Sequence, residues 1–164
     1  MDEVKHPRII LLTGNCGTGK TWTMLSIIKE FKCRKRQRYG SMYFHSSDEV
    51  VVVGKYDGSM YQGTDRLSMA VMKDYDEFLA RMNGKFVILE GDRFMNSKVV
   101  NHTIKPFIIK ILGDGAEGRR KRGSNQTETH LKKMRTRNNN ITADIEVSGS
   151  AEAFNYISAI ISGI

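Results

Sequence analysis

The chain has two cysteines, one tryptophan and 18 acidic residues in 164. Cys16 and Cys33 have no potential ligand partners at metal-binding spacing, which argues against a zinc module. Two cysteines are also too few for a disulfide scaffold, so both are read as reduced thiols of a cytosolic protein. No apolar stretch reaches the length needed to cross a bilayer. The opening residues, Met1-Asp2-Glu3-Val4-Lys5-His6, lack the apolar core of a signal peptide, so export is not expected. There is no internal repeat and no linker long enough to separate two domains, so residues 1–164 are expected to form one domain with a substantial core.

The shortage of acids leaves a net charge of +8, with 26 Lys+Arg against 18 Asp+Glu. Such an excess suggests a polyanionic partner. The basic residues are clustered. One group lies between Lys29 and Arg38 and includes Lys32, Arg34, Lys35 and Arg36. The other is Arg119-Arg120-Lys121-Arg122, continued by Lys132, Lys133, Arg135 and Arg137. Solvated surface charge is the ordinary fate of Lys and Arg. Two dense clusters in one small domain shift the expectation towards nucleic-acid contact.

Against this background one segment is distinctive: Gly14-Asn15-Cys16-Gly17-Thr18-Gly19-Lys20-Thr21. It matches the phosphate-binding pattern G-x-x-x-x-G-K-[ST] at every position. An apolar run, Ile9-Ile10-Leu11-Leu12, precedes it and reads as a buried strand; a helix-period segment from Trp22 to Phe31 follows. The glycines let successive backbone N–H groups turn towards phosphate oxygens, and the helix N-terminus adds positive dipole there. Lys20 would reach the β- and γ-phosphates of ATP, and the Thr21 hydroxyl would hold Mg²⁺. Trp22 adjoins the nucleotide-binding set by position. Its spacing to Leu25 and Ile28 also places it on the helix's expected core face.

The rest of the chain alternates strands and helices. Strands are expected at 8–13, 42–45, 50–53, 86–89, 107–112 and 141–147. Helices are expected at 19–31, 67–82, 94–103, 125–137 and 151–160, the fourth with Asn125 as N-cap and Glu128 three residues on. Leu67, Val71, Phe78, Leu79 and Met82 form one helix face. All-apolar strands alternating with helices predict an α/β fold: a mainly parallel sheet covered on both faces in three layers. The 42–45 strand could form an edge hairpin with 50–53; the residues leave that open.

Three further segments carry chemistry. Phe86 to Leu89 ends in Glu90-Gly91-Asp92, which offers a carboxylate for Mg²⁺ beside the phosphate loop. Residues 54–66, GKYDGSMYQGTDR, follow the strongest strand signal and lie where open parallel sheets bind ligands. There Asp57 or Asp65 could accept the proton of an attacking hydroxyl, with Asp57 preferred because it follows its strand more closely. Arg66 could fix an anionic group, and Tyr56 and Tyr61 could stack on a base. Residues 113–123, GDGAEGRRKRG, suggest a mobile basic lid whose Arg119 and Arg120 neutralise the migrating phosphoryl group, or a loop that binds a nucleic-acid backbone.

In this order the segments resemble the P-loop kinases of nucleotides and nucleosides. GKYDGSMYQGTDRLS (54–68) together with ILEGDRF (88–94) is similar to the bacteriophage kinases of 5-hydroxymethyluracil in DNA. That resemblance implies a three-layer P-loop fold, ATP and Mg²⁺ as donor and cofactor, and DNA as the acceptor-bearing partner. The target would be a hydroxymethyl group on a base, phosphorylated within the polymer as a step towards hypermodified thymines. A kinase of free nucleosides or nucleoside monophosphates, and an ATP-switched nucleic-acid-binding module, are the competing expectations. A GTP switch is disfavoured because no N-K-x-D or T-K-x-D motif occurs, and a helicase because no second motor lobe exists.

Overall fold

A computed structural model describes residues 6–15, 17–57, 63–64, 67–113, 115–116, 119–120 and 127–163. The chain begins with β1 (Arg8–Gly14) and α1 (Lys20–Glu30). Three strands follow: β2 (Gln37–Tyr39), β3 (Met42–Ser46) and β4 (Val50–Val53). A 3-10 segment, Met69–Asp74, runs into α2 (Tyr75–Ala80), and β5 (Phe86–Glu90) comes next. Then come α3 (Ser97–Val100), β6 (Phe107–Ile111), α4 (Glu128–Asn140), β7 (Ile145–Val147) and α5 (Ser150–Ser162).

The strands form one seven-stranded sheet in the order β2-β3-β4-β5-β1-β6-β7. From β4 to β7 every neighbouring pair is parallel; β2 and β3 extend the β4 edge antiparallel. The architecture is therefore α/β with a mostly parallel, mixed sheet. The edge hairpin left open by the sequence exists, and β2 extends it by one more strand.

The period-two alternation of the central strands separates two cores. Ile9, Leu11, Val51, Val53, Val87 and Leu89 pack with Val71, Tyr75, Phe78 and Val99 on one face. Ile10, Leu12, Val50, Val52 and Ile88 pack with Met24, Ile27, Ala153, Ile157 and Ile161 on the other. With apolar groups needed on both faces, β1, β4 and β5 read as continuous apolar runs.

Several boundaries differ from the sequence expectation. The 67–82 segment splits because the Ser68 side chain caps a tighter turn, accepting from Ala70 N at 3.1 Å. Its expected inward face holds: Leu67, Val71, Phe78, Leu79 and Met82 are buried, and Tyr75 joins them. The 94–103 helix shortens to α3, capped by Asn96 Oδ1 accepting from Val99 N at 3.1 Å. The expected cap Asn125 lies outside the described residues; α4 starts at Glu128, with Leu131 N donating to Thr127 O. Among the described residues, no helix is long and apolar enough to cross a membrane.

Candidate functional site

β4, β5, β1 and β6 lie side by side and parallel, so the segments after them emerge at one end of the sheet. These are the 54–64 loop, Glu90 to Asp92, the 14–21 loop and the basic segment from Leu112. Register makes the proximity specific: Leu12 pairs with Glu90, and Gly14 pairs with Ile111.

The 14–21 loop is built on backbone that favours glycine. Gly14, Gly17 and Gly19 have φ of 152°, 90° and 96°. Thr18 closes the turn, its N and Oγ1 donating to Asn15 O at 3.2 and 2.8 Å. Lys20 Nζ folds back into the loop and donates to Gly14 O at 2.8 Å and Asn15 O at 3.0 Å. Thr21 is half-buried at the second position of α1. The first turn of α1 carries no acid, so its positive dipole end and the Lys20 ammonium act together on whatever enters the loop. Cys16 lies outside the described residues.

Trp22 departs from the expectation of a core residue. It is 49% exposed, while Thr23, Met24 and Ile27 supply the buried face of α1. Thr23 Oγ1 donates to Gly19 O at 3.2 Å and to Ser150 O at 3.1 Å, tying the helix start to α5. Trp22 packs edge-on against Phe154 at 6.3 Å.

The basic segment meets the loop directly. Asn15 Nδ2 donates to Gly113 O at 2.7 Å. A Cβ on Gly17 would lie 2.2 Å from Gly115 O and 2.8 Å from Arg119 N. Arg119 N donates to Gly115 O at 3.0 Å, and Ala116, Arg119 and Arg120 are helical. Arg119 is half-buried and Arg120 exposed. Two of the expected lid arginines thus belong to a segment packed on the 14–21 loop. The neighbouring Lys121 and Arg122 fall outside the described residues.

Glu90 is the more enclosed of the two strand-end carboxylates, at 5% exposure. Tyr56 Oη donates to its Oε1 at 3.1 Å, and Thr64 Oγ1 donates to its backbone O at 2.8 Å. Lys55 and Gly63 form an antiparallel bridge, with N···O distances of 3.0 and 2.6 Å. A Cβ on Gly63 would sit 2.8 Å from Glu90 Oε1, so a side chain there would collide with the carboxylate. Gly91, at φ 78°, carries the chain onto β1 by donating to Leu12 O at 3.2 Å. Asp92, half-buried, opens a short 3-10 turn. The hydroxyl and carboxylate oxygens of Thr21, Glu90 and Asp92 are hard donors. They suit Mg²⁺ held by one or two carboxylates together with phosphate and water. Among the described residues, no cluster of three or more His, Cys, Asp or Glu provides a complete metal cage.

After β4, Asp57 is exposed, one residue beyond Tyr56. Asp65, Arg66 and Tyr61 lie outside the described residues. Tyr56 is not available for base stacking as expected. It is 8% exposed, hydrogen-bonded to Glu90 and tilted against His45 at 5.9 Å. The strand register carries Tyr56 inward, where a glycine-rich sequence suggested a surface loop.

Sequence reasoning passed over His45. It is buried at 5% exposure and links Arg34, ahead of β2, to Tyr56, after β4. Tyr56 N donates to its Nε2 at 3.3 Å, so Nδ1 carries the proton and donates to Arg34 O at 3.0 Å. Burial holds the imidazole below its ordinary value of 6.5, with the Arg36 charge acting the same way. The folded ring therefore binds a proton less readily than the unfolded one. The stability it contributes is complete above pH 6.5 and falls as pH drops below that value towards the lower folded one. The urea midpoint should decline through that window, and His45→Gln should flatten the decline. An identical pH profile in the variant would assign the acid sensitivity elsewhere.

No protein-family model and no curated protein matches the chain.

Proposed function

We propose that the chain is a P-loop phosphotransferase with the three-layer α/β/α fold. In this reading it moves the γ-phosphate of ATP to the hydroxymethyl group of 5-hydroxymethyluracil in DNA. The observation that carries the reading is the convergence of four strand ends. A Gly-Lys-Thr loop with Lys20 folded into it, an enclosed Glu90, the Asp57 loop and a basic segment packed on Gly17 share one end of the sheet.

Each group then has a role. The amides of residues 14–19 and Lys20 hold the triphosphate, beside Trp22. Thr21, Glu90 and Asp92 would hold Mg²⁺, which would supply neutralisation of phosphate charge. Asp57 accepts the proton as the acceptor alcohol oxygen bonds to the γ-phosphorus; Asp65 is the alternative base. The bond between the γ-phosphorus and the bridging oxygen breaks, and ADP leaves with the electron pair. Arg119 and Arg120 stabilise the equatorial charge, and Arg66 orients the acceptor. The +8 charge favours an acceptor within a polyanion over a free nucleotide.

The test supplies ATP labelled in the γ-phosphate with hydroxymethyluracil DNA, with the free nucleotide, and with plain DNA. Label in the modified DNA alone is expected. Label in the free nucleotide alone would make the chain a nucleotide kinase. Free phosphate alone, stimulated by plain DNA, would make it an ATP-driven binding module.

A further inference from the structure

We infer that the β2–β3 edge grips the phosphate backbone of DNA beside the acceptor loop, through Arg36, Arg38 and Lys55 gathered on the ring of Tyr43. The inference rests on the reading of the chain as a kinase acting within DNA, and it assigns the surface that holds the polymer. Arg36 and Arg38 each place the guanidinium carbon 5.5 Å from the Tyr43 centroid, and Lys55 Nζ lies 4.1 Å from it. One ring thus collects three cations.

The two nearby acids are engaged by uncharged donors and form no ion pair with these cations. Asp74 accepts from Ser41 N and Oγ, which hold its carboxyl below the usual range. Glu77 accepts from Tyr39 Oη at 2.9 Å. Among the described residues, no carboxylate comes within 4.0 Å of a charged nitrogen of Arg36, Arg38 or Lys55. Like charges held close together raise the local potential, and the ring face offsets part of their repulsion. The arrangement suits a partner with closely spaced negative charges. Basic residues on an edge strand also discourage sheet-to-sheet pairing. That role needs charges along the strand, whereas here Lys55 comes from a different segment to the same ring.

Position ties the patch to the candidate site. Arg38 pairs with Tyr43 across the hairpin, and Gly54 N donates to Tyr43 O at 2.8 Å. Tyr43 is therefore level with the start of the acceptor loop. Lys55 is next in the chain, followed by Tyr56, which reaches Glu90. A strand lying across Tyr43 would run beside Asp57, with a flipped base entering next to it.

The test measures binding of a fluorescent, unmodified DNA duplex to the full chain across a salt series, without ATP. Arg36→Gln/Arg38→Gln/Lys55→Gln should lower the slope of log K against log salt by about 2 to 3. Lys55→Gln alone should lower it by up to about 1, which guards against a folding defect in the triple variant. The comparison is Lys32→Gln/Lys105→Gln, two exposed cations at the opposite end of the sheet. An unchanged slope in the triple variant, or an equal loss per charge in the comparison, would overturn the inference. DNA binding with this slope pattern but no phosphate transfer to any DNA would refute the kinase reading and leave the surface assignment standing.

Discussion

Lys20→Ala is expected to slow phosphoryl transfer by about 10²–10³-fold, the loss typical of removing one preorganised group that stabilises transition-state charge. The ammonium sits within the loop, 2.8 and 3.0 Å from the Gly14 and Asn15 carbonyl oxygens. It therefore starts where the β- and γ-phosphates would lie, with no search through side-chain conformers. Alanine removes both the charge and the brace on the loop, while the core of α1, formed by Thr23, Met24 and Ile27, is untouched. The variant should melt close to the wild type, and transfer from γ-labelled ATP should be nearly absent. A rate within a few-fold of wild type would overturn the assignment of residues 14–21 as the donor site.

Gly17→Ala should be the other severe change. At φ 90° an L side chain is strained, at about 1–2 kcal/mol. The added methyl would also meet the Gly115 carbonyl oxygen at 2.2 Å, a backbone atom that no rotamer change can move aside. The two loops would have to separate, moving Arg119 away from the triphosphate. The apparent KM for ATP should rise at least about tenfold, as expected for a loss of 1.4 kcal/mol or more. Gly163→Ala supplies the control: its φ of 74° carries similar strain, but nothing lies within 4 Å of the new methyl. That variant should lose some stability and no ATP affinity. Equal ATP affinity in Gly17→Ala and wild type would show that contact between the loops is not needed for binding.

The parts of this molecule legible in the sequence are those whose cause is local. Ile9 to Leu12, Val50 to Val53 and Phe86 to Leu89 must satisfy a core on each face, and an unbroken apolar run is the direct result. The 14–21 loop is legible because its glycines answer a backbone requirement visible one residue at a time. The edge was harder. Gln37-Arg38-Tyr39 has no strand pattern of its own; it becomes β2 because Met42 to Phe44 offer a pairing edge. Trp22 has the spacing of a core residue because apolar residues at 22, 24, 25, 27, 28 and 31 cover most of the helix circumference. Only the sheet contact decides which stripe turns inward, and Met24 and Ile27 occupy it. Tyr56 and His45 depend on partners 34 and 11 residues away, Glu90 and Tyr56 itself, and no local periodicity encodes such pairings. Those long-range bonds hold Tyr56 against a carboxylate, where the sequence suggested an exposed aromatic platform at that position.

The proposed kinase reading of residues 14–21 requires an acceptor held inside DNA. The most direct measurement is transfer from γ-labelled ATP to hydroxymethyluracil DNA in competition with an excess of the free hydroxymethyluracil nucleotide, followed by digestion of the DNA to nucleosides. Label on the base's hydroxymethyl oxygen, with little effect of the competitor, is the expected result. Label confined to the free nucleotide, with unlabelled DNA, would contradict it.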